Sequence, residues 1–414
     1  MAGKSLAKVM PEYVKDRDPR EFALFKTLVY GSLREWPRLQ GLLKQLMAKP
    51  LKEKDRDIAA LLALGIHQLS ELRIPPHAAV SETVSATQAL GKGWAKGLVN
   101  GVLRNYQRRA EALERALTPA EKLALPDWLL DRFTKDWPDH IEPLAAAARS
   151  HPPMSLRINQ NHTDRDAYLR ALQQSGIAAS PCLHSPVGIQ LEEPTDVWAL
   201  PDFKAGVCSV QDETAQLAAS VIAPRPGDAV LDACAAPGGK ACHLKEVAPL
   251  ADITALDISE DRLERIRENT ERLSLDIKIQ CGDATQIAAL NPNQRFDIIL
   301  ADVPCSATGV LRRNPDIKLL RRATDAVQFQ TQQRAIVTSL WPLLRPGGRF
   351  YYVTCSVLKE ENDDVVAFAL EQLPHCERLA LKVPGAVMTK YGYQVLPQTH
   401  AGDGLFFAGL VRTD

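Results

Sequence analysis

The chain has 414 residues, 45% of them hydrophobic and 24% charged, enough for two or three domains with cores of their own. Fifty Lys and Arg offset fifty Asp and Glu, so net charge points to no partner; eight cysteines without a C-x-x-C pair exclude a zinc ribbon or a disulfide framework, and no metal is expected. The longest apolar run, Ile58 to Ile66, is too short to cross a bilayer and no signal-peptide core is visible, which predicts a soluble cytoplasmic protein without a membrane partner.

Residues 1–145 predict an all-helical domain. Phe22 to Trp36, Leu39 to Met47, Ile58 to Leu72, His77 to Leu90 and Trp94 to Ala116 place apolar residues three and four apart, punctuated by Pro75-Pro76 and Gly91-Lys92-Gly93. Residues 1–109 hold 19 Lys and Arg against 10 Asp and Glu, a local +9 that leaves −9 for the rest. A basic module joined to an acidic one predicts a polyanion as partner of the first. Arg104, Arg108 and Arg109 stand at helical spacing and are candidates for phosphate contact. His67 and His77 read as structural.

Leu117 to Ser150 reads as a helical bridge broken at Pro119, Pro126, Pro138 and Pro143. Residues 146–225 predict a small α+β connecting domain, with strands at Met154 to Ile158 and Gly188 to Glu192 and a helix at Arg165 to Ser175. Arg157 either faces a partner or holds a turn. A helix from Ala215 to Ile222 leads through Pro224-Arg225-Pro226-Gly227 into residues 226–414.

There the pattern becomes α/β. Val230-Leu231-Asp232 is a buried strand, Cys234-Ala235-Ala236-Pro237-Gly238-Gly239-Lys240 a tight turn, and His243 to Ala248 the start of a helix. A strand, a glycine turn and a helix N-terminus form the place where open α/β sheets bind nucleotide-like ligands. Neither G-x-G-x-x-G nor G-x-x-x-x-G-K-[ST] is present, which disfavours a dinucleotide or a P-loop triphosphate. Further strands follow at Ile253 to Leu256, ending in Asp257, and at Ile277 to Gln280, followed by Gly282-Asp283. Phe296 to Leu300 ends in Asp302-Val303-Pro304-Cys305-Ser306; after a turn at Arg345-Pro346-Gly347-Gly348, Arg349 to Val353 ends in Thr354-Cys355-Ser356. The strands thus deliver acids and cysteines to one rim.

Asp232 to Lys240, Asp302-Val303-Pro304-Cys305-Ser306, Thr354-Cys355-Ser356 and Gly402-Asp403-Gly404-Leu405-Phe406-Phe407 resemble, in order, the motifs of the RNA 5-methylcytosine methyltransferases. The resemblance covers roughly the last 190 residues. Ala241-Cys242 replaces the commoner Thr-Thr-like pair, and Ala307 stands where many relatives have glycine. Ile74 to Val80 and Lys96 to Leu103 look like a helical RNA-binding domain of the NusB type, which bacterial family members acting on 16S ribosomal RNA carry ahead of the catalytic part. The Pro-Pro-x-x-Leu-Arg-Ile-Asn entry at Pro152 is again similar to the family. Three domains follow from this: all-α NusB-like (1–145), small α+β (146–225) and α/β Rossmann-like class I methyltransferase (226–414).

The resemblance implies S-adenosylmethionine as cofactor. Cys234, Ala235, Ala236, Pro237, Gly238, Gly239 and Lys240 would wrap its methionine part and ribose, Asp257 the ribose hydroxyls, Asp283 the adenine amino edge, and Asp302 the methionine end. Asp257 as a helix cap and Asp283 as a turn residue are the competing readings. Carbon 5 of cytosine is a poor nucleophile until a thiolate adds at carbon 6. By resemblance Cys355 is that nucleophile, Cys305 assists release, and Asp302 stabilises charge at ring nitrogen 3. Cys182, Cys208, Cys242, Cys281 and Cys376 read as structural. The basic run Gly309 to Arg322, with Arg312, Arg313, Lys318, Arg321 and Arg322, would clamp the RNA backbone beside an unstacked base.

The expected partner is RNA, unassembled 16S ribosomal RNA first and transfer RNA second, with no DNA, and the expected state is a monomer. An exocyclic-amine methyltransferase is disfavoured by Asp302-Val303-Pro304-Cys305, where that chemistry carries Asp/Asn-Pro-Pro-aromatic. A non-catalytic RNA-binding assembly factor is disfavoured by the intact turn and both cysteines.

Overall fold

The structure, a computed structural model, describes residues 5–14, 19–290 and 293–414. The chain divides into two compact units, Met1–His151 with Leu311–Arg322, and Pro152–Val310 with Ala323–Asp414.

The first unit is helical. Helices Pro19–Arg34, Trp36–Leu46, Arg56–Glu71, Pro76–Ala89 and Lys96–Arg115 follow the apolar spacing, and Leu39, Leu42, Ile58, Leu62, Ile66, Val99 and Leu103 are buried in one core. A Cβ on Gly65 would meet the Leu103 side chain at 2.8 Å, so this glycine sets how closely the Arg56–Glu71 and Lys96–Arg115 helices pack. Thr118 and Glu121 close a capping box that starts the short helix Pro119–Lys122. Pro143 does not break the bridge as the sequence suggested. It sits in the first turn of Ile141–Arg149, where a missing N–H costs nothing.

Residues 311–322 correct a second expectation in part. Arg312 and Lys318 are buried within the helical unit and are not open to an RNA backbone, whereas Arg313 and Arg321 are half-buried and Arg322 is exposed. Arg34 Nε donates to the Arg312 carbonyl (2.9 Å), Lys318 Nζ to the Arg34 carbonyl (2.8 Å) and the Leu6 N–H to Asp316 (2.9 Å). Burial pushes the Lys318 ammonium down to about 7.

The second unit opens with a four-stranded antiparallel sheet of β1 (Met154–Ile158), β2 (Ala179–Pro181), β3 (Gly188–Leu191) and β4 (Cys208–Val210), in the order β2-β3-β1-β4. Leu156 and Ile158 pack with Tyr168 and Leu172 of the helix Arg165–Gln174, which Asp164 caps. The opposite alternation places Arg157 on the other face. It is 1% exposed, and its guanidinium grips Glu246 through Nε (2.9 Å) and Nη2 (2.7 Å). Nη1 donates to Gln211 Oε1 and to the Gly239 carbonyl (2.8 Å). Arg157 therefore neither faces RNA nor holds a local turn; it ties the small sheet to the helix Gly239–Val247.

The larger sheet contains β5 (Ala229–Ala233), β6 (Asp252–Asp257), β7 (Lys278–Cys281), β8 (Phe296–Asp302), β9 (Leu344–Thr354), β10 (Cys376–Leu379), β11 (Val387–Met388), β12 (Tyr393–Val395) and β13 (Leu405–Arg412). Their order is β11-β12-β13-β9-β8-β5-β6-β7, with β10 also on β13. Strands β5 to β9 are parallel and β13 runs against β9. Helices cover both faces, so the strands read as apolar runs with a core on each side. The predicted turn at Arg345–Gly348 lies inside β9, where the register against β8 jumps from Phe296 opposite Leu344 to Ile298 opposite Arg349. The chain leaves β5 toward β6 and β7, then crosses back to β8 and β9. The switch point lies between β5 and β8, where a ligand crevice is expected beyond the carboxyl ends.

Candidate active site

The loop after β5 occupies that switch point. Cys234 and Gly238 take left-handed conformations (φ 62° and 94°), and a Cβ on Gly238 would approach the Ile266 side chain at 3.1 Å. Gly238 then caps a helix beginning at Gly239, four residues earlier than the apolar pattern suggested. The turn is held from β6. Asp257 accepts from the Ala236 N–H (3.1 Å) and from the Ser259 N–H (3.1 Å), and Arg262 lies 3.3 Å away. A carboxylate offers about four acceptor positions, so roughly one remains for a ligand hydroxyl. Asp283 accepts from the N–H and hydroxyl of Thr285, both at 2.8 Å, as a turn residue does.

Beneath the loop, Asp232 is fully buried, and its carboxyl is pushed up to about 8, by burial first and then by Asp302. Lys240 reaches across to Asp302 with its Nζ 2.6 Å from the carboxylate, the two side chains 14% and 29% exposed. Burial works against the Lys240 charge, but the Asp302 partner outweighs it and raises the ammonium above its usual range.

The two motif cysteines meet beside this pair. Cys305 follows β8 and Cys355 ends β9; the strands are neighbours, and the sulfurs lie 3.3 Å apart. Cys305 is buried at 8% exposure while Cys355 is more open. The hydrogen bond with Cys355, reinforced by burial, pushes the Cys305 thiol well above its usual range. Cys305 thus holds its proton, and Cys355 is the more accessible sulfur. Of the cysteines read as structural, Cys182, Cys208 and Cys242 are buried and Cys376 half-buried, their thiols raised by burial. Cys281, at the end of β7, is exposed, against expectation.

The remaining motif closes the rim. Gly404 N–H donates to the Gly309 carbonyl (2.9 Å), and Gly309 N–H to the Cys355 carbonyl (2.9 Å). A Cβ on Gly309 would stand 2.2 Å from the Gly404 carbonyl oxygen, so only glycine permits this three-way backbone contact. Ala307 is left-handed (φ 62°), which explains why a glycine suits that position.

Three family models match. The one described as 16S rRNA methyltransferase RsmB/F covers residues 219–411, a ferredoxin-like domain of RsmF/B-like methyltransferases covers 125–198, and the NusB family covers 3–108. Ribosomal RNA small subunit methyltransferase B of Pseudomonas syringae pv. tomato is 44% identical, over 100% of this chain and 94% of the relative. The protein of that name from Vibrio cholerae is 42% identical, over 99% and 94%. The chain belongs to the RsmB/F family. It is an S-adenosylmethionine-dependent RNA methyltransferase.

Solved structures share the fold. PH0851 superposes with a TM-score of 0.80 at 22% identity, over 96% of this chain and 92% of that one. NSun6 from Pyrococcus horikoshii, solved with SFG, gives 0.62 at 19% identity, over 70% and 98%. Among the described residues no helix is long and apolar enough to cross a membrane, and no group of His, Cys, Asp and Glu could hold a metal ion.

Inside the site of this RsmB/F member, the sequence reading missed the layer behind the thiols. Glu361, Asn362 and Gln333 are buried and bonded to residues that flank Cys305 and Cys355, and the buried Gln394 accepts from Asn362. The only signal available was the Glu360-Glu361-Asn362 run, which begins five residues after Cys355 and reads as an ordinary solvated turn.

Proposed function

We propose that this enzyme methylates carbon 5 of a cytosine in unassembled 16S ribosomal RNA through a covalent adduct with Cys355. The observation that carries the proposal is the thiol pair at 3.3 Å beside the Lys240–Asp302 ion pair. The residues fit the cofactor: a left-handed glycine leads into a helix N-terminus at the switch point, and the carboxylates of Asp257 and Asp302 stand beside it. Cys234 to Lys240 and Asp302 hold the methionine part, Asp257 the ribose and Asp283 the adenine edge. When bound, S-adenosylmethionine supplies an electrophilic methyl group.

The chain's own groups do the rest. Cys355 adds as thiolate to carbon 6, and the ring's double-bond pair becomes available at carbon 5. Nitrogen 3 takes a proton from solvent as the thiolate adds and returns it when the ring is restored; Asp302, held by Lys240, accepts a hydrogen bond from that N–H in between. Cys305, its sulfur 3.3 Å from that of Cys355, gives up its own proton to solvent once the attack is made. It then takes the carbon 5 proton, the double bond re-forms, and the Cys355 thiolate is expelled.

The division of labour is RNA affinity in 1–145, connection in 146–225 and chemistry in 226–414, with 311–322 folding with the helical unit. The working state is a monomer in the reducing cytoplasm, which keeps both thiols free. Bisulfite sequencing of 16S ribosomal RNA from cells with and without the gene tests the substrate. One cytosine that converts only when the gene is absent is expected; no change in 16S ribosomal RNA refutes the assignment.

Replacing Asp257 with alanine weakens cofactor binding by about 1–3 kcal/mol, the cost of leaving bound donors without a partner. Calorimetry with S-adenosylmethionine checks this; unchanged affinity would reduce Asp257 to a loop anchor. Arg104, Arg108 and Arg109 are exposed on the helix Lys96–Arg115. Changing all three to alanine in the full chain lowers the slope of log affinity against log salt by about 2, at roughly 0.7 per phosphate on single strands. An unchanged slope would remove this helix face from the RNA interface.

A further inference from the structure

Behind the two thiols lies a buried carboxylate that the chemistry above does not use. Glu361 is fully buried. Its Oε1 accepts from the Ser306 N–H (2.7 Å) and its Oε2 from the Ser306 and Ser356 hydroxyls, the latter at 2.6 Å. Ser306 follows Cys305 in the chain, and Ser356 follows Cys355. One side chain therefore holds the residue next to each sulfur.

The surroundings fix that side chain in turn. Gln333 donates to Glu361 (3.3 Å) and to the Pro304 carbonyl (2.9 Å). The Tyr352 hydroxyl donates to the Glu361 carbonyl (2.6 Å). Thr308 lies within hydrogen-bond reach of Ser306 (3.4 Å) and Ser356 (3.1 Å) and accepts from the Val357 N–H. On the other side of the Cys355 loop, Asn362 donates to the Ser356 carbonyl (3.0 Å) and accepts from Thr354 (2.6 Å). Burial raises the Glu361 carboxyl and its four donors lower it, with burial prevailing. A buried carboxylate whose two oxygens are both bonded in this way rigidifies what it joins.

We propose that Glu361 is a positioning residue for methyl transfer, clasping the loops of Cys305 and Cys355 so that the two sulfurs stay within reach of one base. The idea rests on the reading that Cys355 attacks and Cys305 aids release. It goes further in assigning the separation of the sulfurs to a group that touches neither of them. Ser306 and Ser356 are the handles; Glu361 is the common acceptor. The carboxylate can serve three donors across two chain segments, and no neutral side chain of its size offers as many acceptor sites.

The test uses the full chain with S-adenosylmethionine and an unmethylated 16S ribosomal RNA transcript. In Glu361→Ala, kcat falls about 100-fold, as expected when reacting groups shift by about an ångström. KM for RNA and the dissociation constant for S-adenosylmethionine stay within about threefold, because the variant touches no ligand. Glu361→Gln, which keeps the shape and part of the acceptor capacity, recovers a portion of kcat. A second readout needs no catalysis. Diamide takes the two thiol hydrogens and joins the sulfurs at a rate set by their proximity, followed as loss of free thiol and a mass decrease in the peptide pair. That rate falls about tenfold or more in Glu361→Ala if the sulfurs drift out of alignment.

Wild-type kcat or an unchanged joining rate in a folded Glu361→Ala overturns the proposal. If Glu361→Ala does not fold, Glu361→Gln decides alone by the same two measurements: reduced kcat with slowed joining supports the clasp, and wild-type values refute it. Full activity of Cys355→Ser would sink the thiol mechanism instead. The joining rate in the Glu361 variants separates that failure from failure of the clasp.

Discussion

Cys355→Ser is expected to be inactive and to form no denaturant-resistant complex with RNA, while Cys305→Ser forms one and stalls. The two cysteines are unequally buried, and the proposed roles follow that difference. Cys305 is the more buried sulfur, and its proton is held first by the contact with Cys355 and then by burial. On the proposed assignment it does not start the reaction and acts as the base once Cys355 is bonded to the ring. Without Cys305 the methylated ring stays attached, because nothing removes the carbon 5 proton. Loss of a nucleophile costs about 10⁶-fold in rate in enzymes whose residues act as a unit, so residual turnover in Cys355→Ser should be below detection. Denaturing gel electrophoresis with labelled RNA decides between the roles. The cysteine of the Pro-Cys motif is the nucleophile in DNA cytosine methyltransferases, and an adduct in Cys355→Ser with none in Cys305→Ser would bring this enzyme into line with them.

The second large effect is on stability. Arg157→Ala leaves Glu246 as a buried carboxylate without its ion-pair partner, the two side chains being 1% and 3% exposed. Breaking a buried pair on one side costs about 3–5 kcal/mol, against about 1 kcal/mol or less for an exposed pair. The same change frees the Gln211 side chain and the Gly239 carbonyl at the start of the cofactor helix. Arg157→Lys should rescue little, since an ammonium cannot make the paired contact or span four acceptors. Replacing both partners, as in Arg157→Met with Glu246→Leu, should restore most of the loss. Denaturant titration followed by protection of the sheet amides reads the effect. A loss under about 1 kcal/mol for Arg157→Ala would show that the pair is screened and dispensable.

What was legible in the sequence followed from local physics. The parallel strands β5, β6, β8 and β9 are buried on both faces, so each is an apolar run ending in a polar residue at the same rim. The helices of the first unit announced themselves through apolar spacing. Strands β2 and β4 did not, because three residues carry no period and Pro181 argues against a strand. The helix at Gly239 starts before its apolar residues do, since a left-handed Gly238 and not a polar cap ends the loop. In the basic run from Arg312 to Arg322, charge in sequence did not show that Arg312 and Lys318 are buried; Lys318 is satisfied by a carbonyl 284 residues away. In the site, motif residues were readable because they are contiguous. Glu361 was not, because its meaning lies in Ser306, 55 residues earlier in the chain.

The bond between Cys355 and carbon 6 of a cytosine can be trapped by incubating the wild-type enzyme with S-adenosylmethionine and 16S ribosomal RNA carrying 5-fluorocytosine. Fluorine cannot leave carbon 5 as a proton does, so the adduct is trapped after methyl transfer. Nuclease and protease digestion followed by mass spectrometry then locates the nucleotide on a peptide. A methylated 5-fluorocytidine attached to Cys355 is expected. Attachment at Cys305, or methylated RNA with no attached peptide at all, would overturn the assignment of Cys355 as the nucleophile.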